Sequence, residues 1–313
     1  MAIVLLKGRR GIFFTMAAIA LAVVILFSFR AVQPKELEDQ TDVAAIRIWS
    51  MNSFIKDVEQ DLEKGLYIAS YRALAGMNEY IIQEDAYITD LDGMFTELVQ
   101  SGTIEGDEIG LIQNHTFSNW SAKINVEAEK IGLTANFTLK EISMSQSDPW
   151  YVAVDASIEI LLADEKNTSS WNRTTNIIYN VPIDGLKDPV SIVNTNNLVT
   201  TFMNKTKITD FVQDENINNL MRHTNQSYYI PNSDAPSFLM RLQGNLGSSS
   251  AGIERLVNVQ ALQDAGFVGN GRSVVDHIYF GSGSVTTYNI DGAPSWFKID
   301  EDHLELYEVE DLT

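Results

Sequence analysis

Apolar residues dominate one uncharged stretch near the N-terminus, residues 12–29, directly after a basic stretch that contains Lys7, Arg9 and Arg10. At about 1.5 Å rise per residue, a helix of this length spans about 27 Å, enough to cross the hydrocarbon core of a bilayer once. Basic residues mark the cytoplasmic side of such helices. The pattern therefore predicts a cytoplasmic tip at 1–11 and a single transmembrane helix at 12–29.

A cleaved secretory signal is the alternative interpretation of this stretch. Such signals have an apolar core of about 7–15 residues, followed by small residues at the cleavage site. The run at 12–29 is longer, and residues 28–32 contain no such site. We therefore predict that the helix is retained as an anchor in the cell membrane, with the bulk of the chain on the extracytoplasmic side.

A second apolar pattern has the period of an α-helix and runs from Ala44 to Tyr80. Its gaps of three and four residues leave a polar opposite face, which predicts a long amphipathic helix over 34–83. We place its start at Pro34, because proline is tolerated in the first helical turn. The apolar stripe predicts an interface, either with the protein's own domain or with a second copy, through residues that include Ile48, Ile55, Leu62, Leu66 and Met77.

The junction between the basic and apolar stretches resembles a known processing signal. Arg10-Gly11 followed by Ile12, Phe13, Phe14, Thr15 and Met16 is similar to the N-terminus of archaeal type IV pilins and archaellins. In those proteins a dedicated peptidase cuts before the hydrophobic helix and leaves the helix on the protein. Met16 stands where bacterial pilins usually carry Glu. The resemblance, which covers this short segment only, implies that copies pack together through the N-terminal helix.

The period changes from helix to strand after residue 130. A short helix at 90–100 and a second amphipathic helix at about 107–130 precede alternating stretches at 133–139, 150–162 and 177–183. The alternation predicts three half-buried strands, and the short polar links between them predict an antiparallel meander. Apolar parity slips after Leu139, which predicts a bulge at Lys140 or Glu141. An α+β domain over 90–190 follows.

The C-terminal part has weaker patterns. Asn-rich residues 191–201 predict a linker, and 202–313 predict a small α/β-type module with a strand at 237–243, a Gly/Ser loop at 244–252, a short helix ending at Gly266 and a strand at 273–280. The predicted fold class is thus α+β: an N-terminal transmembrane helix, a long amphipathic helix, an antiparallel meander sheet and this module. Residues 252–258 and 274–280 resemble segments of uncharacterised archaeal single-pass membrane-anchored surface proteins, which implies a location and no activity.

Composition limits the partners. The net charge of −20 and the pI near 4.5 argue against nucleic acid, whose phosphates attract Lys and Arg. Cysteine is absent, so disulfides and Cys-based zinc sites are excluded. Seven Asn-X-Ser/Thr motifs are candidate glycosylation sites, and the alternative is chance matches in an Asn-rich chain. We favour 136, 167 and 172 within the full set, which is Asn114, Asn119, Asn136, Asn167, Asn172, Asn204 and Asn225.

Candidate chemistry is sparse. The four histidines, His115, His223, His277 and His303, show no metal-binding spacing. Asp276 and His277 adjoin on a predicted strand, where neighbours point to opposite faces and cannot form a catalytic pair. The acidic residues 300–302 could bind a hard cation, and an acidic turn exposed to solvent is the default interpretation. We predict no catalytic residue, no metal and no cofactor.

These patterns favour a membrane-anchored extracytoplasmic structural or binding protein of the cell surface, pilin-like and not an enzyme. Its expected partners are the lipid bilayer and either further copies of itself or other envelope components. The alternative is an extracytoplasmic hydrolase acting on envelope glycans, with carboxyl groups such as that of Asp276 or those of 300–302 as acid and base. Such an enzyme would hold two carboxyl groups about 5–9.5 Å apart in one cleft.

Overall fold

The computed structural model describes the backbone of residues 9–165 and 169–313, and the side chains of 15–25, 45–165 and 169–313. Helices and antiparallel sheets make up the described chain, which confirms the α+β class. The chain forms two compact units, Met1–Val58 and Glu59–Thr313. The predicted domains at 90–190 and 202–313 both lie within the second unit.

The first helix, α1 (Arg9–Glu84), is a single element of 76 residues. The predicted start at Pro34 is wrong, because the helix continues through this residue. A proline inside a helix costs about 3 kcal/mol, whereas starting a new helix requires a new and unfavourable nucleus. No helix among the described residues combines the length and apolar character of a membrane span. The predicted span at 12–29 lies partly outside those residues, since the side chains of 12–14 and 26–29 are not described.

The apolar stripe of α1 is buried over most of its length. Ile48 is 57% exposed, but the stripe is covered at Met51, Ile55, Val58, Leu62, Leu66, Ala69, Ala73 and Met77. Within the unit Glu59–Thr313, polar contacts tie the helix to the rest of the chain: Ser70 Oγ lies 2.8 Å from Tyr179 OH, and Trp120 Nε1 donates to Asp61 Oδ2 at 2.8 Å. The stripe in this unit is therefore covered by the same chain.

Helix α2 (Leu91–Ser101) follows the predicted helix closely and is capped by the Asp90 side chain, which accepts from Gly93 N. The predicted helix over 107–130 begins later. Residues 107–108 form β2 (Asp107–Glu108), which pairs with β1 (Thr103–Ile104), and the helix α3 spans Phe117–Lys130. Thr116 sets this start, because its hydroxyl accepts from Asn119 N and satisfies a free amide of the first turn.

The central sheet is the predicted meander, in the order β3 (Leu133–Asp148), β4 (Tyr151–Asp164), β5 (Ser170–Pro182), with both pairings antiparallel. Alternate residues of β4 are buried, so one face of the sheet meets the core. The β3–β4 register shifts between Leu139 and Glu141, which places the bulge at Lys140 as predicted.

The C-terminal part consists of short elements: α4 (Pro189–Asn194), β6 (Asn204–Lys205), α5 (Asn218–Asn225), β7 (Tyr228–Pro231), α6 (Phe238–Leu242), β8 (Ile253–Arg255), α7 (Val259–Asp264), α8 (Asp276–Tyr279), β9 (Thr287–Asn289) and β10 (Lys298–Asp300), with 3₁₀ helices at Glu301–His303 and Glu310–Leu312. Strand β7 pairs parallel with β6 and antiparallel with β8. Strands β9 and β10 form an antiparallel pair. Buried apolar side chains of α5, β7, α7, α8 and β10 share one core.

Three predictions for this part are wrong. Residues 237–243 contain the helix α6, and residues 273–280 contain the helix α8, where strands were expected. Short apolar runs fit either element, and the Ser237 hydroxyl decides the first case by capping Met240 N. The predicted linker at 191–201 begins inside α4, whose Val190 and Ile192 are fully buried. Asp188 and Pro189, a helix start signal, explain this helix.

Candidate functional site

Charged side chains meet in the interior of the C-terminal part, where they form the buried charged cluster. Each member is at most 9% exposed, and the members are Asp188, Arg241, Glu254, Arg255, Asp276, His277, Asp300 and His303. They come from the start of α4, from α6, β8 and α8, and from the end of β10 with the 3₁₀ helix after it. Ionised groups are rarely buried unless they are paired, so each charged side chain of this cluster is expected to contact a partner.

Arg241 is the centre of one half of the cluster. Its Nη1 donates to Asp276 Oδ2 at 2.8 Å and to Asp188 Oδ1 at 3.3 Å. Asp188 Oδ2 also accepts from the hydroxyls of Tyr229 and Ser191, both at 2.9 Å. Burial opposes ionisation of Asp276, yet the charge of Arg241 holds the pKa of this carboxyl below its ordinary value. This half therefore joins one guanidinium group to two buried carboxyl groups.

Arg255 extends this half toward α4. Its Nη2 donates to Ser191 Oγ at 2.7 Å, and its Nε lies 4.0 Å from Asp188 Oδ2. Two arginines therefore share the charge of Asp188. The formal charges of the two arginines, Arg241 and Arg255, balance those of the two aspartates, Asp188 and Asp276.

Glu254 is the centre of the other half. Its Oε2 lies 3.3 Å from His277 Nε2, 3.2 Å from His303 Nε2 and 2.7 Å from Asn232 Nδ2. Its Oε1 accepts from Tyr307 OH at 2.8 Å. Both imidazole rings thus point one nitrogen at the same carboxylate oxygen.

His303 is also held from its other side. Its Nδ1 lies 2.5 Å from Asp300 Oδ1, and Asp300 Oδ2 accepts from Ser273 Oγ at 2.6 Å. Burial by itself lowers the pKa of His303, but the hydrogen bonds to Asp300 and Glu254 prevail and raise it to about 10. Burial lowers the pKa of His277. The pKa values of the two rings are therefore shifted in opposite directions although the rings share one carboxylate.

The ligand atoms of Glu254, His277 and His303 all lie within 4.8 Å of one another, which makes these side chains the one group of three metal-ligating residues in the part of the chain that the structure describes. The sequence offered little sign of this group, because Glu254 and His303 are 49 positions apart. Because the sequence predicts a strand at 273–280 where the structure has α8, it also gives the wrong direction for the His277 side chain. The other two histidines lie elsewhere: His223 is buried among aromatic rings and His115 is exposed.

The structure gives Asp276, His277 and the acidic residues 300–302 different surroundings from those that the sequence predicts. Asp276 and His277 lie on α8 and contact different partners, Arg241 and Glu254. In the predicted acidic turn, Asp300 is 1% exposed, and only its two neighbours, 301 and 302, face solvent.

The candidate interface residues and the candidate glycosylation sites differ in their exposure to solvent. Of the interface candidates, Ile55, Leu62, Leu66 and Met77 are buried, whereas Ile48 is exposed. Asn119 is half-buried and accepts a hydrogen bond from Thr116 Oγ1, and Asn167 lies outside the described residues. The remaining sequon asparagines are exposed: Asn114, Asn136, Asn172, Asn204 and Asn225.

Searches against protein-family models, curated proteins and solved structures find no match to this chain.

Proposed function

We propose that the protein is a structural or binding component of the cell surface, anchored in the membrane by its N-terminal helix, with its N-terminus in the cytoplasm. The observation that carries the proposal is the surface of α1 at residues 15–25, which is uncharged and exposed throughout. Met16, Leu21 and Val24 are 70%, 65% and 64% exposed. Continuous apolar surface of this kind marks a contact with lipid or protein. The basic residues that precede it favour lipid as the occupant.

The order of elements supports a pilin-like plan for this component. A helix with an exposed apolar segment at residues 15–25 and a buried apolar stripe further along precedes an antiparallel three-stranded sheet. The same order occurs in many α+β proteins, so it supports the proposal by analogy. The exposed Ile48 leaves part of the stripe free for a neighbouring copy.

Two of the carboxyl groups that a glycan hydrolase would use as acid and base are buried and bound to other side chains. Asp276 is 0% exposed and pairs with Arg241, and Asp300 is 1% exposed and contacts His303 and Ser273. Neither presents a carboxyl group to a polysaccharide. These contacts support a structural or binding role over hydrolysis.

Membrane fractionation of the full chain with a C-terminal tag tests the proposal. We expect the protein in the alkali-resistant membrane fraction, with the tag open to protease from outside the cell. The variant Ala20→Asp with Val23→Asp places two charges in the apolar segment and is expected to release the protein, since each costs about 2.5–3.5 kcal/mol at the bilayer centre. The matched control is Ala20→Leu with Val23→Leu, which keeps the segment apolar.

The mature N-terminus decides between the forms of anchoring. Intact-mass measurement on native membranes is expected to show that residues 12–29 are retained. A start at Ile12 would support pilin-type processing, whereas a start beyond Arg30 would overturn the proposed anchor.

A further inference from the structure

The spacing around Glu254 is long for hydrogen bonds between an imidazole and a carboxylate. Charge-assisted N–H···O contacts normally measure about 2.7–2.9 Å, but the two histidine contacts measure 3.3 and 3.2 Å. Ligand atoms bound to one tetrahedral ion at about 2.0–2.2 Å lie about 3.3–3.5 Å apart. These two separations match neighbouring ligands of a metal better than they match a tight ion pair, and all three ligand atoms lie within 4.8 Å of one another.

The surrounding side chains orient the three groups as ligands. Asp300 holds Nδ1 of His303 at 2.5 Å, which directs Nε2 toward Glu254. Tyr307 holds the second oxygen of Glu254 at 2.8 Å, which leaves Oε2 directed at both imidazoles and at Asn232 Nδ2, 2.7 Å away. A carboxylate on the far nitrogen of a histidine is a recurrent feature of metal sites, because it fixes the ring and raises its basicity.

We propose that Glu254, His277 and His303 bind a divalent transition-metal ion, with Zn²⁺ as the reference ion. Two imidazole nitrogens and one carboxylate oxygen suit zinc and its neighbours, whereas Ca²⁺ and Mg²⁺ prefer oxygen ligands alone. The ligands belong to β8, α8 and the 3₁₀ helix Glu301–His303. Since these elements are distant in sequence, the ion ties the C-terminal segment to the interior and acts as a structural clamp.

The first test uses the full chain in detergent, stripped with a chelator and then titrated with Zn²⁺ alone. We expect one tightly held Zn²⁺ per chain, and a rise in melting temperature on binding. Co²⁺ in its place should give the visible ligand-field bands of a four-coordinate ion. Failure of the wild-type chain to retain either ion would overturn the proposal without recourse to any variant.

The second test assigns the ion to the site. The variants His277→Gln and His303→Gln each remove one ligand and are expected to lose the Co²⁺ bands and to weaken Zn²⁺ binding by more than the roughly 10- to 100-fold that loss of an outer-shell partner costs. His115→Gln, at the exposed histidine, is the matched control and should bind like the wild type. Asp300→Asn, which removes a positioning group, should weaken binding by about 10- to 100-fold and keep the bands. Unchanged binding in both ligand variants would overturn the assignment. None of these outcomes depends on where the protein lies relative to a membrane.

Discussion

Burial alone determines the charge of one side chain, His223. It is 0% exposed, and its ring packs edge-on against Phe211 at 5.0 Å and beside Tyr307 at 6.1 Å. Its Nδ1 lies 3.2 Å from Thr206 Oγ1, while Nε2 has no hydrogen-bond partner among the described residues. Burial lowers the pKa of His223 to about 4. The ring is therefore neutral in the folded protein at neutral pH.

This shift predicts an acid-sensitive contribution to stability. The unfolded chain binds a proton below the ordinary pKa of about 6.5 and the folded chain does not until about 4, so the contribution is complete above 6.5 and is lost as the pH falls to about 4. The loss is on the order of 3 kcal/mol. His223→Phe should reduce the pH dependence of the unfolding free energy in urea melts over this window. His115→Gln is the exposed control, and an equally steep pH dependence in His223→Phe would contradict the prediction.

Arg241 carries a second prediction at the residue scale. Arg241→Met leaves Asp188 and Asp276 buried without their common partner, so we expect a loss of about 3–5 kcal/mol in the free energy of unfolding. Arg222→Met, at an exposed arginine, should change it by less than about 0.5 kcal/mol.

Adding Asp276→Asn to Arg241→Met should recover part of the loss, because one unpaired charge is removed. Denaturant melts of Arg241→Met, of the double variant and of Arg222→Met measure their free energies of unfolding. No recovery would indicate that Arg241 acts through packing and not through charge.

At the scale of the element, the helical spacing of apolar residues in α1 separates a buried face from an exposed one. Leu62 is 0% exposed, and Gln60 lies on the exposed face. Leu62→Asp places an unpaired charge in the core and should cost about 3–5 kcal/mol, whereas Gln60→Asp should be nearly silent. Thermal melting compares the two, and equal effects would contradict the assignment of faces.

Light scattering on the same variants locates the partner of the stripe. Since the chain itself covers Leu62, we expect a lower melting temperature for Leu62→Asp with no change in mass. A lower mass would instead place a neighbouring copy on this part of the helix.

At the scale of the whole molecule, the outer face of the central sheet offers a surface for sugars. Asn136 and Asn172 flank Leu161 in one cross-strand row, and all three are exposed. We predict glycans at both asparagines in the native host and none at the half-buried Asn119, whose amide oxygen is already engaged. Glycopeptide mass spectrometry measures this. Sugar at Asn119 with both strand sites bare would contradict it.

Period and turn chemistry alone were sufficient for much of the fold. The stripe of α1, the three strands and the bulge at Lys140 follow from side-chain spacing, because each element buries one face and alternation records which one. The spacing of apolar residues predicted the wrong element where the apolar run was short. At 237–243 and 273–280 a few apolar residues fit a strand or a helix equally well, and capping and packing decided the outcome.

The sequence by itself determined the acidic, cysteine-free composition, the α+β class and the buried and exposed faces of its long elements, since these depend on residues close along the chain. Only the tertiary structure decided that Glu254, His277 and His303 share a site, and that Arg241 joins Asp188 to Asp276. These side chains come from separate short elements, so their spacing in sequence has no period. Their meeting depends on how the whole C-terminal core packs, because only a core that excludes water forces buried charges to find one another.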